Sequence, residues 1–145
     1  MKSFKFYSLI ALIACISFGY LGCKKQTDLD LSGTYILKSG QSLSIPTNRN
    51  LASLTAAELT DSRCPANAIC VWEGIGTGKF IFKDNTKEQT IELCIGACAV
   101  VSKPKTPEII LNSITYTVEL TSLNPFPGTG TANETVKATI LLKKK

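Results

Sequence analysis

The amino-acid sequence predicts an all-β domain, an antiparallel β-sandwich or a partly open barrel, cross-linked by two local disulfides. Three observations carry this prediction. Several segments alternate apolar and polar residues, glycine and proline separate those segments, and four cysteines lie in the part of the chain that holds them. Short alternating runs between turn residues are typical of antiparallel sheets packed face to face. We also expect one short helix or one long loop.

Six segments have the strand pattern. Residues 34–37 and 42–45 are short, and the second stops at Pro46. Residues 79–83 and 89–93 flank Asp84-Asn85, a good hairpin turn, so we expect the two to pair. The clearest alternation lies in residues 114–120 and 136–142. The apolar residues on one face of each are Ile114, Tyr116, Val118 and Leu120, then Val136, Ala138, Ile140 and Leu142.

Two segments interrupt this pattern. In residues 50–59 the leucines Leu51, Leu54 and Leu59 lie among alanines, and Thr55-Ala-Ala-Glu58 has the form of a helix capping box. We therefore expect the short helix or the long loop there. Three alternate glycines in residues 74–78 are expected to loosen the next connection or to admit a bulge.

The N-terminus has the features of a secretory signal. Lys2 and Lys5 precede an uncharged apolar run, residues 6–21, that is shorter than the roughly 20 residues needed to span a bilayer. The ending Leu21-Gly22-Cys23 resembles the bacterial lipobox, and this resemblance implies cleavage before Cys23 and lipidation of that cysteine. An uncleaved anchor helix is the alternative. We expect a signal peptide at 1–22, a lipidated tether at 23–30 and a sandwich domain at 31–145. The location we expect is the outer membrane, on its periplasmic or cell-surface face.

Four cysteines of the domain can form disulfides in an oxidising compartment: Cys64, Cys70, Cys94 and Cys98. They allow three connectivities. We favour the local pairs Cys64–Cys70 and Cys94–Cys98 because each closes a short loop, the first contributing roughly 2 kcal/mol. A four-thiolate metal site is the alternative, but the spacings differ from zinc knuckles. We expect no metal and no cofactor.

The most distinctive motif is Asp61-Ser-Arg-Cys-Pro, four residues, then Cys70-Val-Trp-Glu-Gly74. It resembles small secreted bacterial proteins and lipoproteins of uncharacterised function that share this pattern, a similarity that extends over about residues 40–143. The resemblance implies a compact, mostly β extracellular domain and no particular activity. The Cys94–Cys98 pair lies outside the shared pattern.

Two interpretations of this motif are open. It is either a ligand-binding loop that presents Arg63 and Glu73, or a structural corner in which Trp72 packs in the core and Arg63 pairs with Asp61 or Glu73. A strand is expected to begin inside it, at Ile69 and Val71. The loop Asn124–Asn133 is a second candidate because Asn124 and Phe126 lie in a stiff, proline-rich turn. The candidate binding residues are Arg63, Trp72, Glu73, Asn124 and Phe126.

Composition argues against most catalytic classes. The chain has no histidine, which removes the commonest general base and metal ligand, and its expected disulfides leave no thiolate nucleophile. We expect a monomeric, non-enzymatic binding or accessory module for an unknown protein or glycan ligand. Two alternatives are a chagasin-like peptidase inhibitor, resembled weakly at Asn124-Pro125, and a hydrolase that uses two carboxylates. The net charge of +5 lies largely in terminal lysines rather than a basic, aromatic-bearing stripe, so nucleic acid is not an expected partner.

Overall fold

A computed structural model of the protein describes residues 30–46, 49, 51–130 and 134–145. The predicted signal peptide, Cys23 and the tether up to residue 29 lie outside the described residues, as do positions 131–133 of the second candidate loop. Among the described residues, no helix combines the length and apolar character that a membrane span requires. The elements are β1 (Gly33–Lys38), β2 (Ser42–Ile45), β3 (Ala52–Asp61), β4 (Ile75–Asp84), β5 (Glu88–Gly96), the 3-10 turn η1 (Cys98–Val101), β6 (Glu108–Leu111), β7 (Ile114–Asn124) and β8 (Lys137–Lys144).

The predicted antiparallel sandwich is confirmed. The strands form two separate four-stranded sheets, ordered β1-β8-β7-β6 and β2-β3-β4-β5, in which every pairing is antiparallel. Inward-facing residues of both sheets make one core, because alternate residues of each strand point to the same face. Its largest fully buried side chains are Tyr116, Phe80, Phe82, Leu31, Leu37, Ile45, Leu54, Leu93, Leu111, Leu123, Ile140 and Leu142.

The helix or loop expected at 50–59 is wrong, since most of this segment is the central strand β3. Leu54 and Ala56 face the core. Leu59 also packs against the core, although in a regular strand its side chain would point to the opposite face from that of Ala56. A β-bulge between Ala56 and Glu58 turns the Leu59 side chain back toward the core, because an extra residue shifts the side-chain alternation by one. Pairing with β2 and β4 on both sides outweighs the local helical preference of the alanines.

The expectation that alternate glycines loosen the connection after the motif is also wrong, because Gly76 and Gly78 lie inside β4. Gly76 is buried, and a Cβ there would come within 2.6 Å of the Leu123 side chain. The absent side chain therefore admits Leu123 from the opposite sheet.

The sandwich has two distinct ends. At one end, which we call the loop end, β3 leads into the Asp61–Gly74 segment and β7 into the segment that starts at Asn124. At the other, which we call the entry end, lie the β4–β5 and β6–β7 turns and the first described residue, Asp30. Register supports this division, since Asp61 pairs with Gly76 at one end of β3 and Ala52 with Asp84 at the other.

Two tyrosine hydroxyls hold the chain where it enters the domain. The backbone N–H of Leu31 donates to the Tyr116 hydroxyl at 3.1 Å, and the Tyr35 hydroxyl donates to the Leu31 carbonyl at 2.7 Å. Burial raises the pKa of Tyr35, which keeps this donor protonated. The Ser32 hydroxyl accepts the backbone N–H of Lys144 at 2.9 Å, so the first and last described segments lie side by side at the entry end.

A buried carboxylate joins the two sheets at the entry end. Asp84 accepts hydrogen bonds from the backbone N–H groups of Thr86 and Lys87, from the Thr86 hydroxyl, and from the backbone N–H of Asn112 at 2.8 Å. Burial alone would raise the pKa of Asp84, but these four donors outweigh it and hold the pKa well below its usual range. The carboxylate therefore ties the β4–β5 turn to the β6–β7 turn in its ionised form.

The edge strand β6 is covered by a side chain from the other sheet. Gln89 of β5 donates its Nε2 to the Ile110 carbonyl at 2.6 Å and accepts the Ile110 N–H on its Oε1 at 3.3 Å. One side-chain amide thereby meets both the donor and the acceptor of a single backbone residue.

Candidate functional site

The Asp61–Gly74 segment is an irregular loop closed by the Cys64–Cys70 disulfide. Its two ends remain paired, because the Ser62 N–H donates to the Ile75 carbonyl at 2.9 Å and the Cys64 N–H to the Glu73 carbonyl at 2.8 Å. The strand expected to begin at Ile69 and Val71 is wrong, since β4 begins only at Ile75. The disulfide bends the chain back on itself at these positions, and no strand among the described residues pairs with them.

Gly74 is required where this loop returns to the sheet. Its φ is +76°, in the left-handed region that glycine adopts readily. A Cβ at this position would lie 2.3 Å from the Ser62 carbonyl oxygen and 2.8 Å from the Arg63 Cα. The two arms of the loop can therefore approach this closely only with glycine at position 74.

Arg63 holds the two candidate loops together, and we call its contacts with Asp61, Leu123 and Phe126 the Arg63 clamp. Its Nε and Nη2 donate to the two carboxylate oxygens of Asp61, at 2.9 and 2.6 Å, and Nη2 also donates to the Leu123 carbonyl at 2.8 Å. The guanidinium lies over the Phe126 ring, 4.4 Å from its centroid, in cation–π geometry. The Arg63 and Asp61 side chains are only 11% and 5% exposed. Arg63 is thus committed to contacts within the domain.

The second candidate loop is held against the first by further contacts. The Ala66 N–H donates to the Pro127 carbonyl at 2.9 Å, and a Cβ on Gly128 would lie 2.6 Å from the Asn67 side chain. Within this second loop, the Thr129 hydroxyl donates to the Phe126 carbonyl at 2.7 Å. The two candidate loops, separated by some sixty residues in sequence, therefore form one structural unit at the loop end.

The disulfide loop presents an apolar tip to solvent. Ile69 and Val71 are each 104% exposed relative to the reference state and Trp72 is 51% exposed, so the expectation that Trp72 packs in the core is wrong. We call these three residues the apolar tip. Glu73 beside it is exposed as well, and so is Asn124, whose amide donates to the Ser122 hydroxyl. Phe126 is 37% exposed, since Arg63 covers one face.

The structure separates the five candidate residues into two groups. Arg63 and Phe126 hold the loops together, whereas Trp72, Glu73 and Asn124 face solvent and can meet a ligand. Ile69 and Val71 were expected to lie in a strand and were not among the candidate binding residues. Two β-branched apolar residues inside a loop of proline, asparagine and alanine were the available signal, because no strand partner of matching length was apparent for them.

The second disulfide, Cys94–Cys98, is buried and braces the same end. It joins the C-terminal end of β5 to η1, and its cysteines are 3% and 1% exposed. The Ala97 N–H donates to the Gly74 carbonyl at 3.1 Å, which connects this segment to the disulfide loop. Both predicted pairings are confirmed, and η1 adds two further exposed apolar residues, Val100 and Val101.

Two carboxylates share a shallow hollow on the outer face of the sheet β2-β3-β4-β5. Glu58 and Glu92 lie in one row across β3, β4 and β5, with Lys79 between them. Lys103 hydrogen-bonds Glu92 and lowers its pKa, whereas a general acid needs a raised pKa. Among the described residues, no three His, Cys, Asp or Glu side chains cluster in a way that could hold a metal ion.

Comparison of the chain with protein-family models, with curated proteins and with solved structures finds no match.

Proposed function

We propose that this protein is a lipid-anchored module of the bacterial cell envelope that binds its ligand, without catalysis, through the apolar tip at the loop end. The observation that carries the proposal is the full exposure of Ile69 and Val71 beside a half-exposed Trp72. Contiguous exposed apolar residues on a soluble domain mark interaction sites, whereas scattered ones do not. These three lie within four consecutive positions of one loop.

Rigidity of the loop supports a binding role. The disulfide, the pairing of Cys64 with Glu73 and the Arg63 clamp hold the loop in one conformation. A loop ordered before binding loses little conformational entropy when a ligand arrives, so more of the contact energy appears as affinity. Trp is enriched among residues that dominate interface energetics.

The lipid anchor rests on the sequence around Cys23 and is tested separately. Intact mass of the mature protein, measured before and after reduction and alkylation, is expected to show a diacylglyceryl-modified and acylated Cys23. A chain that begins elsewhere or carries no lipid would contradict the anchor and leave the binding proposal untouched.

The binding proposal is tested in intact cells. A photoreactive side chain at Val71 is expected to cross-link a discrete envelope protein, or purified envelope glycan fragments are expected to bind the wild-type domain. Either interaction is lost in Trp72→Ala and retained in Ile36→Ser. Ile36 is the matched control, because it is an exposed apolar residue, 58% exposed, on β1 rather than on the tip. Binding that survives Trp72→Ala and Ile69→Asp together would refute the assignment.

A further inference from the structure

The apolar tip and the point where the chain enters the domain lie at opposite ends of the sandwich. Asp30 precedes Leu31, whose backbone is held by Tyr116 and Tyr35 at the entry end. The tip projects from the connection between β3 and β4 at the loop end. Each of these two strands has ten residues, which corresponds to a separation of about 30 Å along the sandwich.

The reach of the chain between the anchor and the domain limits where the tip can go. From Cys23 to Asp30 the backbone spans at most about 25 Å, whatever its conformation. End-on contact of the tip with the anchoring membrane would lift Asp30 about 30 Å from that membrane, a distance similar to this limit. A short connection to the anchor therefore disfavours end-on approach of the tip to its own bilayer, since the connecting residues would have to be fully extended.

Charge favours the same orientation. At the entry end Lys143, Lys144 and Lys145 are exposed, and Lys145 pairs with Glu108 at 2.7 Å. Lysines close to an anionic leaflet are attracted to it. At the tip the exposed charge is Glu73, while the cation of the same loop, Arg63, is paired with Asp61. Glu73 therefore disfavours approach of the tip to an anionic lipid surface, whereas the entry-end lysines are partly balanced by Glu108 and by Asp30, which lies close to Lys144.

We infer that the occupant of the apolar tip is the apolar groove of a second protein that stands clear of the anchoring membrane, with a cation or hydrogen-bond donor opposite Glu73. This inference rests on the proposed anchor at Cys23 and deepens the proposed binding role. Ile69 and Val71 offer aliphatic side chains without hydrogen-bonding groups, which suits a dry groove better than the hydroxyl-covered surface of a sugar.

The protein carries its own reporter for a test, since Trp72 is its one tryptophan. The lipid-anchored protein is reconstituted into vesicles of phosphatidylethanolamine and phosphatidylglycerol. Trp72 fluorescence is then measured with brominated lipids and, separately, with aqueous iodide. We expect iodide to quench it as in detergent solution and brominated lipids to leave it unchanged. Quenching by brominated lipids would overturn the inference.

A second variant separates limited reach from a true preference of the tip. A Gly-Ser linker of about 20 residues inserted before Asp30 adds a root-mean-square span of roughly 25 Å, enough for the tip to approach the bilayer. We expect Trp72 to remain unquenched by brominated lipids in this variant, because the tip suits a protein groove. Quenching that appears only with the linker would show that the tip binds lipid, and the protein partner would be wrong.

Failure of the anchor has a different signature from failure of this inference. A protein that does not float with the vesicles at all lacks the lipid, which overturns the proposed anchor and with it the reach argument. A protein that floats and shows quenched Trp72 keeps its anchor and loses only the inferred partner.

Discussion

Replacing Arg63 with alanine should destabilise the domain by about 3 kcal/mol. The change removes both charged hydrogen bonds to Asp61, the bond to the Leu123 carbonyl and the contact with Phe126. Breaking a buried ion pair by deleting one partner costs roughly 3–5 kcal/mol, and a cation–π contact adds about 0.5–1 kcal/mol. The lower part of this range applies because Asp61 keeps its hydrogen bond from the backbone N–H of residue 63, at 3.2 Å.

The measurement is urea unfolding of the protein followed by circular dichroism, with Lys83→Ala as the matched control. Lys83 also pairs with a carboxylate, Glu88, but at 3.8 Å and with side chains 63% and 54% exposed. An exposed pair of this kind contributes less than about 1 kcal/mol. The double variant Asp61→Leu/Arg63→Met should lose less than the sum of its single variants, because neither charge is then left without its partner. The proposed role of Arg63 would be refuted if Arg63→Ala and Lys83→Ala lowered the free energy of unfolding equally. It would also be refuted if the double variant lost the full sum of the two single-variant losses.

Three further outcomes follow from other features. Gly74→Ala should prevent stable folding, whereas Gly40→Ala, at nearly the same φ of +77° but with nothing within 4 Å of the added Cβ, should cost only about 1 kcal/mol in the same urea assay; similar costs would contradict the close approach described for the loop. Asp84→Ala should lower the free energy of unfolding by about 2 kcal/mol at neutral pH. Because the pKa of Asp84 in the folded protein lies below the unfolded value of about 4, the stability difference between wild type and variant is complete above that pH and disappears on acidification. A difference in stability that does not depend on pH would contradict the ionised role of Asp84. Reductant under native conditions should open the partly exposed Cys64–Cys70 before the buried Cys94–Cys98, as mass after alkylation would show; the reverse order would contradict the burial assigned to the second pair.

The strands that could be predicted are runs of strand-favouring residues bounded by turn residues, and alternation of apolar and polar residues marks the clearest of them. In residues 114–120 and 136–142 apolar residues recur at every second position. The two segments lie side by side in β7 and β8. β3 could not be predicted, because its bulge places Leu54 and Leu59 on the same side at a spacing that no regular strand allows. β6 has only four residues and its pattern is too short to stand out from its surroundings.

The candidate site was predictable in part. An ion pair of Arg63 with either Asp61 or Glu73 was expected, and the structure contains the pair with Asp61. The contacts of Arg63 with Leu123 and Phe126 depend on how the two sheets are stacked, which no local pattern specifies. Trp72 was misplaced because tryptophan is buried on average, whereas the short disulfide loop leaves no core within its reach.

The double hydrogen bond from Gln89 to Ile110 has a consequence for how these molecules behave in a crowd. An edge strand with free N–H and C=O groups is a template on which a second chain can add. Gln89 fills that template with an amide of its own, in the position that a neighbouring strand would occupy. A second chain that pairs with β6 at Ile110 would therefore have to displace the Gln89 amide first.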